Sequence, residues 1–344
     1  MKRVAQRVLV PGITALLLAL FARGTSLAEV WRQIVSADWP LLIVALGSSS
    51  AAYVLRARRW QFLLRPVGRT RFASALRATI LGFAASYVLP GRTGEVLRPY
   101  LIARSDGLSG VAAFATIVVE RLLDLVGVLV LFAGFLCCVR LESTVTNAYL
   151  FRAVQLGGLA AGAVSLAAFF VMVLAARSPE RAVQVLRRLV SLVSKRLADK
   201  IVAMTTTFLD GLAILREPVD AALALAGAFP LWFCSLVSIW CVTQAFHLGV
   251  PASGSVLLLM LLVIGVSVPT PAGVGGVHYA FRLGATAFYA AADDRAVGAA
   301  IVLHALTVVP VIVTGAWLAA AGGLSLQRLR AVAASPINSP AGSS

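Results

Sequence analysis

What this chain has least of is charge. Only 13% of its 344 residues are charged and 60% are hydrophobic, whereas soluble domains average about 25% charged and about 45–50% apolar. Its longest polar stretch, residues 177–220, is too short and too helical in pattern to form a catalytic domain of its own. Histidine occurs three times and cysteine four times. Cys137, Cys138, Cys234 and Cys241 all lie in apolar runs, at spacings that suit neither a redox pair nor a metal site, so they read as small packing residues. No nucleophile has a His–Asp partner along the chain, and no cluster has metal-ligand spacing. The sequence therefore predicts no metal, no cofactor and no enzyme.

Acidic residues are scarcer than basic ones, 14 against 30, for a formal charge of +16. In a soluble protein that excess would suggest nucleic acid. Here the basic residues form blocks between apolar runs without interleaved aromatics, which is the pattern of the positive-inside rule and excludes a nucleic-acid partner. A basic face of this kind also attracts anionic lipid headgroups.

What the chain does have is apolar runs of membrane length. Residues 8–22 come after Lys2, Arg3 and Arg7; with no small-x-small cleavage site beyond them, they read as an uncleaved first span. Residues 25–38 are amphipathic, with Leu27, Val30, Trp31, Ile34 and Val35 on one face, and suit the membrane interface. Further spans are expected at 39–55, 108–139, 153–176, 221–248 and 297–321. Between 177 and 217 the pattern is that of a cytoplasmic amphipathic helix. The expectation is one all-α, polytopic membrane domain over residues 1–324, then a short disordered cytoplasmic tail, 325–344.

Two remaining stretches do not fit simple spans. Residues 72–89 are apolar but run into Leu89-Pro90-Gly91-Arg92-Thr93-Gly94-Glu95, and residues 95–104 are too short and too polar to cross. Residues 256–268 and 277–291 are short of the roughly 20 residues a span needs, and the motif Pro269-Thr270-Pro271-Ala272-Gly273-Val274-Gly275-Gly276 separates them. Keeping both basic regions, 56–77 and 177–217, on one side requires each broken pair to enter and leave by the same face, the first from inside and the second from outside. The fold is thus about six full spans plus two re-entrant hairpins from opposite faces. Helix breaks at membrane depth free backbone groups that only protein or a wet cavity can satisfy, and paired breaks in two halves point to a transporter-like central site.

The residues that carry chemistry surround these breaks. Arg92, Glu95 and Arg98 recur at i, i+3, i+6 after the first break, where a helix start and two guanidiniums suit a phosphate or carboxylate; snorkelling at the interface is the alternative. Glu120, Arg121 and Asp124 lie in mid-span, where ionisable groups are costly and face a bundle interior or a cavity. They suit either a binding site or an internal ion-pair network. In the second motif Pro269, Pro271, Gly273, Gly275 and Gly276 would set backbone dipoles against a substrate or against the first hairpin, with His278 and Arg282, four residues apart, just beyond. His247 and His304 read as structural. Arg58-Arg59-Trp60 reads as an interfacial anchor, with Arg59 in a wet environment.

Taken together, Arg58-Arg59-Trp60, the 89–95 motif with Arg98, Glu120-Arg121-Leu122-Leu123-Asp124 and the 269–276 motif resemble the membrane region of lysylphosphatidylglycerol synthases, a flippase-like family. The resemblance spans residues 8–324 and implies a multi-pass plasma-membrane protein of bacterial or archaeal type, linked to lipid translocation. It further implies that Arg92, Glu95, Arg98, Glu120, Arg121 and Asp124 form the polar core. The family often has a second glycine where Ala272 stands. The residues after Leu324 are too few for the aminoacyltransferase domain of the full synthase, so no lipid aminoacylation is expected of this chain. Two functions fit. One is binding and translocation of a phospholipid or polyprenyl-linked anionic lipid. The other is a non-transporting accessory role, presenting a lipid to a partner glycosyltransferase or lipid-modifying enzyme.

Twenty basic residues fall in the segments assigned to the inside and five in those assigned to the outside. Both termini should therefore be cytoplasmic, with Asp293-Asp294 outside. Single cysteines at positions 65 and 190 should be shielded from an impermeant thiol reagent added externally, and one at 294 labelled. External labelling at 190 would overturn this topology.

Overall fold

The structure, a computed structural model, describes residues 2–24, 26–89, 93–138, 148–191, 195–268 and 270–322. Its helices are α1 (Lys2–Ala22), α2 (Leu27–Val35), α3 (Trp39–Leu63), α4 (Phe72–Val88), α5 (Gly94–Asp106), α6 (Gly110–Cys138), α7 (Ala148–Arg177), α8 (Pro179–Ser191), α9 (Lys195–Gly211), α10 (Pro218–Ala226), α11 (Ala228–Ala245), α12 (Gly254–Ser267), α13 (Gly276–Tyr289) and α14 (Asp293–Ala321). No strand forms among the described residues. In lipid every backbone N–H and C=O must be satisfied within the segment or by the protein around it, and helices do this locally.

By length and composition α3, α7, the α10–α11 pair and α14 can each cross a membrane. The α1–α2 pair, bent by 75°, is a fifth candidate. α6 is also long enough, since 29 residues rise about 43 Å, but it carries Glu120, Arg121 and Asp124 along its length. The molecule is a multi-pass membrane protein. Its outward surface fits that solvent: along α7, Leu156, Leu159, Val164, Phe170, Val171 and Leu174 are all exposed. On α2, Val30 is buried while Leu27, Trp31 and Val35 are exposed. The amphipathic region after α7 consists of two helices, α8 and α9, packed on each other, and α9 lies against α6.

One expected boundary is corrected. The second span does not stop at Leu55; α3 continues as helix to Leu63. The charges Arg56, Arg58 and Arg59 are therefore helical residues with fixed faces, not a loop. α3 packs along α11. Its first half joins an apolar core with α11, α12, α13 and α14. Its second half joins another core with α4, α6, α9 and α10.

Each hairpin is closed by a glycine on either arm. In α4–α5 a β-carbon on Gly94 would overlap the Gly82 carbonyl oxygen. In α12–α13 a β-carbon on Gly265 would lie 2.6 Å from the Gly276 carbonyl oxygen. Small residues let helix backbones approach closely, and in lipid such packing replaces the hydrophobic driving force. α14 packs against both hairpins, with Gly315 on Ala84 of α4. The 3-10 turn Pro271–Gly273 at the tip of the second hairpin reaches α4 of the first.

Gly94→Val should force the α4 and α5 backbones apart and destabilise the protein by about 1–3 kcal/mol, the usual cost of overpacking. Gly47→Ala, where nothing lies within 4 Å, should not. Thermal unfolding of both variants in detergent reads the difference; equal midpoints would disprove the close-packing account.

Candidate functional site

Helical spacing sets the site. On α3, Arg56, Arg59, Trp60 and Leu63 recur at i, i+3, i+4, i+7 and share one face. That face meets α6, where Glu120 is fully buried and Asp124 is 6% exposed. Arg98 of α5, 2% exposed, completes the meeting point. Arg98 forks onto Glu120: Nη1 donates to Oε1 at 3.1 Å and Nη2 to Oε2 at 2.9 Å. Arg121 Nη2 donates to the same Oε1 at 2.7 Å. Asp124 accepts from Arg56 Nη1 at 2.9 Å and from Arg59 Nη2. Arg56 lies 3.5 Å from Glu120, and Arg121 lies 3.6 Å from Asp124.

Four guanidiniums thus share two carboxylates. Aromatic rings take part of the surplus. Arg98 lies 4.3 Å over the Trp60 ring, and Arg56, Arg98 and Arg121 surround Phe83 of α4 at 5.2, 5.5 and 5.7 Å. A cation over an aromatic face is favoured by about 0.5–2 kcal/mol when desolvated. Trp60 is itself anchored, its Nε1–H donating to Thr116 Oγ1 at 3.0 Å.

Arg121 is the exposed edge of this network; its side chain is 37% exposed although it lies in mid-helix. It lines two adjoining cavities of about 390 and 300 Å3. They share Phe83, Tyr87, Trp232, Val263, Val266 and Ala272 as walls. The larger is bounded by both hairpins: Gly82, Gly94, Glu95 and Arg98 from the first, Thr270, Ala272 and Gly273 from the second. Three buried polar atoms of cavity-lining residues, Arg98 Nε, Arg121 Nε and Thr270 Oγ1, have no hydrogen-bond partner among the described residues. Glu95 adds one carboxylate to the wall, so the described site keeps a net positive charge.

The structure brings some of the predicted residues together and separates others. Arg98, Glu120, Arg121 and Asp124 meet in the ion-pair network, and Glu95 faces the same cavity. Arg92 and Pro269 lie outside the described residues. Pro271 and Gly273 form the 3-10 turn, and Gly273 lines the cavity. Gly275 and Gly276 pack against protein instead, against Leu17 of α1 and Gly265 of α12. His278 is buried and accepts a hydrogen bond on Nδ1 from the Gly275 N–H at 3.3 Å. Its ring lies 4.6 Å from that of His304. Arg282 lies away from both cavities. It donates to the carbonyls of Leu20, Phe21 and Arg23 at the end of α1, and to Asp293 at 2.9 Å. Its work is to cap α1, whose last carbonyls have no partner within the helix.

Two readings are corrected. Arg59 is not a wet interfacial anchor but 4% exposed and paired with Asp124, and Trp60 is fully buried beneath Arg98. Ala272 stands at φ +53°, ψ 11°, a left-handed conformation that costs a residue with a β-carbon about 1–2 kcal/mol. That is the physical reason a glycine suits this position.

Residues 7–315 match the model of a known family, the lysylphosphatidylglycerol synthase TM region. The chain belongs to the lysylphosphatidylglycerol synthase TM region family. A stretch of 127 residues is 30% identical to a protein of Haloferax volcanii named glycosyltransferase AglD. That stretch is 36% of this chain and only 20% of the archaeal protein, so the likeness extends to one part of each.

Removing Glu120 would leave Arg98 buried without its fork. Glu120→Ala should lower stability by about 3–5 kcal/mol, the cost of breaking a buried pair from one side. Arg58→Ala, at an exposed arginine, should stay close to wild type. Unfolding midpoints in detergent, with expression yield, provide the comparison.

Proposed function

We propose that this protein binds the anionic headgroup of a phospholipid or polyprenyl-linked lipid between its two hairpins and passes it across the plasma membrane. The observation that carries the reading is the surplus of guanidinium over carboxylate in a network sunk among membrane helices and open to a cavity at Arg121. Arg121 offers the headgroup an accessible guanidinium edge, Thr270 a free hydroxyl, and Arg98 and Arg56 hold the carboxylates in place behind it. A phosphate accepting from guanidinium in a water-poor site forms the stronger, charge-assisted kind of hydrogen bond. The apolar walls suit the first carbons of the lipid chains. In this reading both termini are cytoplasmic, the hairpins enter from opposite faces, and the chain performs no chemistry on the lipid.

A second reading has support in the glycosyltransferase name of the partial relative. A non-transporting membrane protein that holds a lipid-linked substrate for a partner glycosyltransferase would use the same cavity. A liposome assay following a fluorescent anionic lipid across the bilayer separates the two, since only the first predicts movement.

Arg121→Gln is the informative substitution, because this side chain is partly exposed and its loss leaves Glu120 paired with Arg98. Native mass spectrometry of gently purified protein should show anionic lipid retained by wild type and at least tenfold less by Arg121→Gln, with unfolding temperature little changed. Equal retention by a folded variant would end the headgroup reading.

A further inference from the structure

A second arginine-lined cavity lies at the far end of α3, outside the hairpin site. It has a volume of about 640 Å3 and sits between the last turns of α3, the loop after that helix, and the junction of α10 and α11. Arg58, Arg59, Arg65 and Arg69 line it, and no carboxylate does among the described residues. Leu223 and Pro230 form an apolar wall on the opposite side. Arg59 carries the argument. It is 4% exposed, its Nη2 is held by Asp124, and its Nε and Nη1 are buried with no hydrogen-bond partner among the described residues. A buried guanidinium that has Asp124 on one nitrogen and two donor nitrogens unpartnered among the described residues, in a wall of three further guanidiniums, has capacity left for an anion.

We infer that this cavity is a second anion site, which takes the phosphate group of a phosphorylated amphiphile or of a free phosphorylated solute. Arg65 and Arg69 are both exposed and meet the ligand from the solvent side; Arg59 meets it from within. Arg65 is already stacked 4.6 Å over the Phe62 ring, which holds its guanidinium at the cavity rim. The adjoining exposed Leu223 gives a lipid chain an apolar surface to leave along. Because Arg59 reaches Asp124 with its other nitrogen, one residue faces both the ion-pair network and this outer site. The inference stands independently of transport.

The test uses the full chain in detergent, with dioctanoyl phosphatidic acid and inorganic pyrophosphate as probes, read by native mass spectrometry and titration calorimetry. The variants are Arg65→Gln with Arg69→Gln, which leave the ion-pair network untouched, and Arg121→Gln. Wild type should bind two equivalents of the lipid. The double variant should lose one of them, or weaken it at least tenfold, and Arg121→Gln should spare that same one. Pyrophosphate competing for it identifies the phosphate group as sufficient, so that a free phosphorylated solute can occupy the site. Binding of the lipid alone identifies a headgroup whose chains use the apolar wall. If wild type binds only the equivalent lost in the double variant, the hairpin site fails and this one stands. If the double variant binds both probes as wild type does, or wild type binds only the equivalent lost in Arg121→Gln, the outer site is disproved.

Discussion

A carboxylate with no access to water, in the middle of a membrane helix, must be neutralised, and Glu120 is that carboxylate. Its fully buried side chain draws Arg98 from α5 and Arg121 from its own helix, with Arg56 of α3 close by. Asp124, one turn on, draws Arg56 and Arg59. These demands fix the relative placement of α3, α5 and α6. They also fix the angle at which the first hairpin leans on the rest of the bundle, since α5 is one of its two arms. Hydrophobic burial could not do this alone, because lipid tails compete equally well for every apolar face. The cluster supplies direction where the solvent supplies none.

The hairpins contribute the complementary element. Their arms meet through glycine against carbonyl, and the 3-10 turn of the second reaches α4 of the first. Residues of both hairpins then line the cavity that Arg121 edges. A short, broken helix at membrane depth is acceptable because the surrounding protein lines a cavity there. The two halves of the chain thus build one chamber from different materials: the first brings charge, the second brings backbone and small residues.

Much of this is legible in the sequence, and the failures have physical causes. The helical class, the two broken pairs and the trio on α6 stand out because charge or proline in an apolar run is expensive. Arg98 is marked by its spacing from the first break. Arg56, Arg59 and Trp60 escape a reading that ends the span at its first arginine. An arginine that closes a helix at the interface and one that enters a buried ion pair have the same local sequence; only the helical spacing from Arg56 to Leu63 distinguishes them. Arg282 misleads for the opposite reason. It shares a helix face with His278, which suggests a shared site, yet three of its four partners come from residues 20–23, a separation no local pattern reveals.

That distant tie has a consequence for how the protein is made. The last carbonyls of α1 have no partner within their own helix. The guanidinium that donates to those of Leu20, Phe21 and Arg23 belongs to α13, about 260 residues further along the chain. Until α13 has been made the end of α1 is without these donors, and the two helices can be tied only after the roughly 260 residues between them are in place.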